Sequence, residues 1–205
     1  MQEDTELAKA QDLNKEKVNE RLSKMNQIYL AIISRYKDYI EDKESLSVAE
    51  LPILVTPKDN IVLKVVDEIK NSFGSYSYEA NFYDASVKAF SFVKDRVDNI
   101  VLPLQFWLMP EDTLKFMIGD NMDKNILLCS ILIGLGNPSS KVLAVVKDSA
   151  QKVLVYYELN GKFHAFNLEG QAEEFDSFDS IKKKIGIDDY STAYEFNDKM
   201  YIDIS

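Results

Sequence analysis

The chain has 205 residues, 46% of them hydrophobic and 28% charged, which suits one globular domain with an extension. Its 34 acidic residues against 24 basic ones give a formal net charge of -10, which opposes binding to the phosphates of a nucleic acid. One cysteine and one histidine leave no intrachain disulfide, no cysteine-rich zinc site and no metal site of the common tetrahedral kind.

The first residues are polar and acidic and lack the pattern of a signal peptide. Residues 6 to about 44 read as one long helix. Val18, Leu22, Met25, Tyr29, Ile32, Tyr36 and Tyr39 recur four and three residues apart, a heptad-like stripe. Ile28, Leu30, Ile33 and Ile40 widen it. Such a face docks on its own domain or on a partner, a second copy of the chain included. The expected organisation is an N-terminal helical extension at 1–45, a connector with Pro52 at 46–55 and a main domain at 56–205. That domain has its core at 56–168 and a C-terminal helix and strands at 172–205.

Thr56-Pro57-Lys58-Asp59 offers an N-cap, a proline at the first helical position and an acid at the third. This predicts a helix to about residue 71 that buries Ile61, Val62, Val65, Val66 and Ile69. A Ser/Tyr/Gly loop leads to a second helix over 78–97, with Tyr83, Val87, Phe90, Val93 and Val97 on its apolar face. Residues 102–109 are apolar and irregular, and Pro110-Glu111-Asp112 starts a short helix ending near Gly119.

The next helix is the centre of the domain. Asp120 or Asn121 caps it, Asp123 sits in its first turn, and Gly134 or Gly136 ends it. Ile126, Leu127, Leu128, Cys129, Ile131, Leu132, Ile133 and Leu135 leave no wide polar stripe, so this helix is expected to be covered on several sides. The apolar run is shorter than the roughly 20 residues a membrane span needs, so no membrane partner is expected and the chain reads as soluble and cytoplasmic.

After it the period changes. A β-branched run at 141–147 reads as a buried strand, and segments 151–159 and 162–168 flank Asn160-Gly161, a strong hairpin signal. A helix at about 177–185 is stopped by Gly186, and 193–196 with 199–204 form a terminal hairpin. Helices first and an antiparallel sheet after them make the fold class α+β. With a two-residue turn, Leu159 pairs with Lys162, Tyr157 with His164 and Leu154 with Asn167. Alternation then places Lys152, Leu154, Tyr156, Phe163, Ala165 and Asn167 on one face. Val153, Val155, Tyr157, His164, Phe166 and Leu168 share the other.

Trp107, Pro110, Thr113 and Leu114, then Gly119-Asp120, Asp123, Leu127-Leu128 and Gly136, resemble the transglutaminase-like superfamily of papain-like cysteine enzymes. Its prokaryotic members carry W-x-x-P-x-E/D-T-L followed by G-D-C-x-D-x-A-x-L-L, and later H-x-W-x-E-x-x-x-x-G-x-W-x-x-x-D. Gly161 and Phe163 fit the turn and aromatic of the later part, and Tyr156 stands where it has a glutamate. The resemblance covers about residues 56–168 and implies a papain-like α+β core. It also implies a thiolate at the helix N-terminus, a histidine that deprotonates it and a carboxylate that orients the histidine.

Carried over residue by residue, the cysteine position is Asn121, the histidine position is Lys152 (Gln151 with a one-residue slip), and the aspartate position is Asn167. An amide forms no acyl-enzyme, and a lysine with a pKa near ~10 is a poor general base at neutral pH. The resemblance therefore implies a domain without catalytic residues, whose former cleft of Trp107, Asp120, Asn121, Asp123, Lys152 and Asn167 binds a peptide or protein segment or a small polar ligand. The competing reading is an active cysteine peptidase, amidohydrolase or acyltransferase with a relocated nucleophile, Cys129, served by His164. Against it, Cys129 lies two turns past Asn121 on an apolar helix, where a free cysteine is a small hydrophobe. Lys182-Lys183-Lys184 reads as a solvated helix face, and Glu173-Glu174 and Asp188-Asp189 lack the spacing of a calcium loop. No cofactor and no metal are expected.

Overall fold

The computed structural model describes residues 15, 18–27, 29–31, 33–38, 47–100, 106–147, 150–187 and 192–204. The chain divides into two compact units, Met1–Ser45 with Pro103–Phe106, and Leu46–Leu102 with Trp107–Ser205. In the first unit residues 15, 18–27, 29–31 and 33–38 are helical. Val18, Leu22, Tyr29 and Tyr36 of the stripe are each half exposed. Ile28, Ile32, Tyr39, Ile40 and the remainder of the expected helix lie outside the described residues.

The second unit opens with a 3₁₀ segment, Val48–Leu54, where a connector was expected. Leu51 and Leu54 are buried, so this stretch belongs to the core. Helix α1 (Asn60–Asn71) follows, capped by Asp59 rather than Thr56. The Asp59 carboxylate accepts the N–H groups of Ile61 and Val62 at 2.7 and 3.2 Å, two of the otherwise orphaned donors of the first turn. Pro57 and Lys58 form the turn before the cap.

Helix α2 (Tyr78–Arg96) buries Phe82, Ala85, Ser86, Ala89, Phe90 and Val93. Phe90, Val93 and Val97 are buried as expected and Val87 is partly buried, whereas Tyr83 is 50% exposed. The small Ala85, Ser86 and Ala89 are what let the helix lie close to its neighbours. Short strands β1 (Asp98–Asn99) and β2 (Ile118–Gly119) pair in parallel and bracket helix α3 (Pro110–Phe116). Helix α3 stops at Met117, whose φ of 54° is left-handed.

Helix α4 (Asn121–Gly134) is the predicted centre. Helices α1, α2 and α3 pack on it. Every residue from Met122 to Leu132 is buried, the polar Asp123, Lys124, Asn125 and Ser130 included. Each of these four residues makes at least one hydrogen bond, while Asn125 Oδ1 is buried without a partner among the described residues. Lys124 Nζ donates to the Val97 carbonyl at 2.7 Å. Ser130 Oγ donates to the Ile126 carbonyl at 2.9 Å and accepts from the Thr56 N–H at 3.0 Å.

The sheet has six strands: β3 (Lys141–Lys147), β4 (Ala150–Leu159), β5 (Lys162–Phe166), β6 (Ala172–Phe175), β7 (Thr192–Phe196) and β8 (Tyr201–Asp203). They run β6-β5-β4-β3-β7-β8, and each neighbouring pair is antiparallel. Asn160 and Gly161, with φ of 54° and 75°, supply the two left-handed residues of a type I′ hairpin turn. Leu159 faces Lys162 and Tyr157 faces His164, the register expected from the sequence. Strand β6 was not anticipated, because Glu173-Glu174 has little intrinsic preference for a strand.

One sheet face carries Val142, Ala144, Val153, Val155, Tyr157 and Phe166 into the same core as α4. The other carries Leu143, Val145, Leu154, Tyr156, Ala165 and Ala193 beneath Ile181 and Ile185 of helix α5 (Phe178–Ile185). The sheet thus separates α4 from α5, in the α+β arrangement expected from the order of elements. Among the described residues no helix is long and apolar enough to cross a membrane.

Candidate functional site

The first candidate centre is the N-terminus of α4. Asp120 is the N-cap, and its carboxylate accepts the Asp123 N–H at 2.8 Å. Asp123 reciprocates by accepting the Asp120 N–H at 3.0 Å, and its second oxygen accepts the Leu108 N–H at 2.8 Å. This capping box pins the segment before α3 to the start of α4. Burial first and the Asp120 carboxylate second push the Asp123 carboxyl up to about 7, while the two backbone N–H groups pull the other way.

Asn121 is the first residue of the helix and half-buried. Its side-chain oxygen accepts from Asn125 Nδ2 at 3.0 Å, and its backbone carbonyl accepts from the same nitrogen at 2.7 Å. Asn121 and Asn125 thus form an amide–amide pair in the first turn of α4. Trp107 is partly buried against the main core. Among the described residues no group of three or more His, Cys, Asp or Glu is placed to hold a metal ion.

Lys152 and Asn167 come together, as expected, but not beside Asn121. Both line a pocket of about 200 Å³ over β4, β5 and β6, with Leu154, Ala165, Glu169, Gln171, Glu173, Phe175, Lys184 and Ile185. That is the α5 side of the sheet, whereas α4 packs on the Val153 and Val155 side. The expected common cleft of Asn121, Lys152 and Asn167 with Trp107, Asp120 and Asp123 is thus split between two faces. The reason is the period of two along a strand, by which a one-residue shift exchanges the faces. On the α4 side the residue at the start of β4 is Gln151, the slipped alternative, opposite Val146 of β3.

The pocket exists because of side-chain size. Ala165 sits opposite Tyr156 on one side and Glu173 on the other. A methyl group among long neighbours leaves a hollow that α5 roofs only in part. Lys152 Nζ donates to the Ile185 carbonyl at 3.3 Å and so satisfies an orphaned acceptor at the C-terminus of α5. Lys184 pairs with Glu173 at 3.0 Å, tying the helix to β6. Lys182 pairs with Asp179 at 3.5 Å. Asn167 Oδ1 accepts the Glu169 N–H at 2.9 Å and closes a tight turn with the Gly170 N–H on its own carbonyl at 3.0 Å. The sequence signal for the hollow was the lone small residue at 165 between Phe163 and Asn167 on one strand face.

Cys129 and His164 are held apart from each other by separate partners. Cys129 is fully buried, and its thiol donates to the Ser140 carbonyl at 3.6 Å. Burial pushes the thiol well above its ordinary range. His164 is buried between aromatic rings, with centroids 5.1 Å from Tyr157 and 5.2 Å from Tyr83. Burial holds its imidazole below the usual value, against a smaller opposite effect from Glu174. It packs against rings, while the thiol is engaged by Ser140.

No protein-family model and no curated protein sequence matches the chain. Solved structures do. Legionella pneumophila LapG is similar over 78% of this chain and 88% of its own, with a TM-score of 0.50 and 13% identity. EGTA-treated LapG from the same organism is similar over 78% and 87%, again at 0.50 and 13%. At that identity the likeness speaks for the fold alone, and the fold is the one the sequence resemblance implies. The chain has a transglutaminase-like, papain-like α+β core.

Proposed function

We propose that this domain is a catalytically inactive member of the transglutaminase-like fold that works by binding, as a recognition or scaffolding module. The observation that supports the reading is the first turn of α4, where the resemblance puts the nucleophile: the residue there is Asn121, with its amide oxygen engaged by Asn125. The single thiol of the chain is poorly placed for the role, since Cys129 is buried and its pKa is raised rather than lowered. Retaining the fold costs nothing in packing, because α4 and the hairpin are core elements whatever stands at Asn121.

A thiol-reactive reagent added to the native protein is expected to leave Cys129 unmodified over hours and to label it promptly in denaturant. Fast native labelling that disappears in the His164→Ala variant would instead establish a relocated nucleophile and an active cysteine enzyme.

The half-exposed stripe of Val18, Leu22, Tyr29 and Tyr36 favours a second role for the N-terminal helix, self-association or docking of a partner helix. Light scattering is expected to give twice the chain mass for the full protein and a monomer mass for the double variant Leu22→Glu, Tyr29→Glu. A monomeric mass for both would dismiss the dimer.

A further inference from the structure

The geometry points to the pocket beneath the C-terminus of α5 as a binding site for a small apolar carboxylate, with Lys152 as the residue that receives the carboxylate. This deepens the reading of the domain as a binding module and gives that module a site on the sheet face opposite α4.

The floor and one wall are apolar: Leu154 and Ala165 from the sheet, Phe175 from β6 and Ile185 from the helix. At about 200 Å³ the hollow is below the roughly 300–1,000 Å³ of sites for drug-sized ligands. It suits one branched aliphatic body, not an extended molecule. The charges around the mouth are unequal in availability. Lys184 is neutralised by Glu173 at 3.0 Å, and Glu169 adds a carboxylate to the lining that Lys152 has to outweigh. Lys152 spends one donor on the Ile185 carbonyl at 3.3 Å, and an ammonium has three.

Beside Lys152 stands the amide of Asn167. Its oxygen accepts the Glu169 N–H and its Nδ2 lies against Gly170, so this amide is held in its own turn. Gln171 adds a second amide to the same lining. An ammonium and the Gln171 amide above an apolar floor recognise an anionic head on an apolar body. The same chemistry belongs to a free branched-chain carboxylic acid and to the last residue of a peptide chain.

The test titrates the full chain with N-acetyl-L-leucine, N-acetyl-L-leucinamide and an oligoglycine peptide ending in leucine, following backbone amide resonances. N-acetyl-L-leucine is expected to shift resonances of β4–β6 and α5 saturably, and the amide, lacking the carboxylate, to bind at least tenfold more weakly. Ala165→Leu fills the hollow and is expected to abolish the shifts. Lys152→Met keeps the stem on an exposed residue, removes the ammonium, and is expected to weaken N-acetyl-L-leucine about tenfold while leaving the leucinamide unchanged. A peptide that binds more tightly than N-acetyl-L-leucine identifies a chain terminus as the source, and equal affinity identifies the small acid. Absence of saturable shifts at tens of millimolar, equal binding of acid and amide, or indifference to Lys152→Met overturns the proposal. Cys129 labelling is read separately, so failure of this site and failure of the inactive-enzyme reading are distinguishable.

Discussion

Leu128→Ala is expected to lower the unfolding free energy by about 2–5 kcal/mol, the range for removing a buried leucine side chain from a core that collapses only in part. Leu128 is fully buried in α4, and helices α1, α2 and α3 pack on this helix while the sheet closes its remaining side. Neighbours held by four different elements cannot close over a void without moving at least one of them. The cost therefore belongs in the upper part of that range. Urea unfolding at neutral pH checks it, with Tyr83→Ala as a contrast. Tyr83 is half exposed on α2, and its loss is expected to cost less than half as much. Equal losses at the two positions would mean that α4 is not the centre of the packing.

Stability is also expected to fall as pH rises from about 4 to about 8 through the carboxyl of Asp123. The sign follows from proton uptake. In the unfolded chain this group titrates in the ordinary aspartate range near ~4, whereas in the fold it is pushed up to about 7. Between those values the folded state holds the proton and the unfolded state does not, so raising the pH favours unfolding. The contribution is complete below the unfolded value and lost on passing the folded one, and the window corresponds to on the order of 4 kcal/mol. His164 acts in the opposite sense: its imidazole is held low in the fold, so it costs stability as pH falls through ~6.5.

Comparing the chain with Asp123→Asn isolates the carboxyl. The variant keeps an acceptor for the Leu108 N–H and loses the bond from the Asp120 N–H, so it starts about 1 kcal/mol lower at acid pH. Its stability is expected to decline less from pH 4.5 to 8 than that of the parent, and the two curves to converge or cross near neutrality. Parallel curves would show that the backbone N–H groups keep Asp123 ionised throughout.

Periodic signals carried most of the fold. The uninterrupted apolar run of α4, the Asn160-Gly161 turn and the β-branched β3 each state their structure locally, and each is found where the residues place it. What the sequence left out is non-local. Strand β6 is held by pairing with β5 and by the Lys184–Glu173 bridge, neither of which shows in its own residues. On α2 the large Phe90 and Val93 show in the sequence, but Ala85, Ser86 and Ala89 of the same buried face are passed over by a search for large apolar side chains. The candidate site was legible in part for a related reason. The hairpin register puts Lys152 and Asn167 on one face, but which side of the sheet α4 would take depends on packing. Gln151 and Lys152, the two positions between which the resemblance leaves a choice, fall on opposite sides of the sheet, because in a strand one residue decides the side.

The strand order has a consequence for synthesis of the chain. β3 lies inside the sheet between β4 and β7, yet β7 follows it only after three further strands and a helix. While a ribosome is still adding those elements, the Val142–Val146 edge of β3 has a hairpin on one side and an unsatisfied row of backbone donors and acceptors on the other. A nascent chain at that stage resembles an open sheet with an apolar, β-branched border, the kind of edge that recruits strands from other molecules. Arrest or cleavage between β6 and β7 would therefore release a species prone to aggregation rather than a shortened domain, and holdase chaperones would be most useful during that interval.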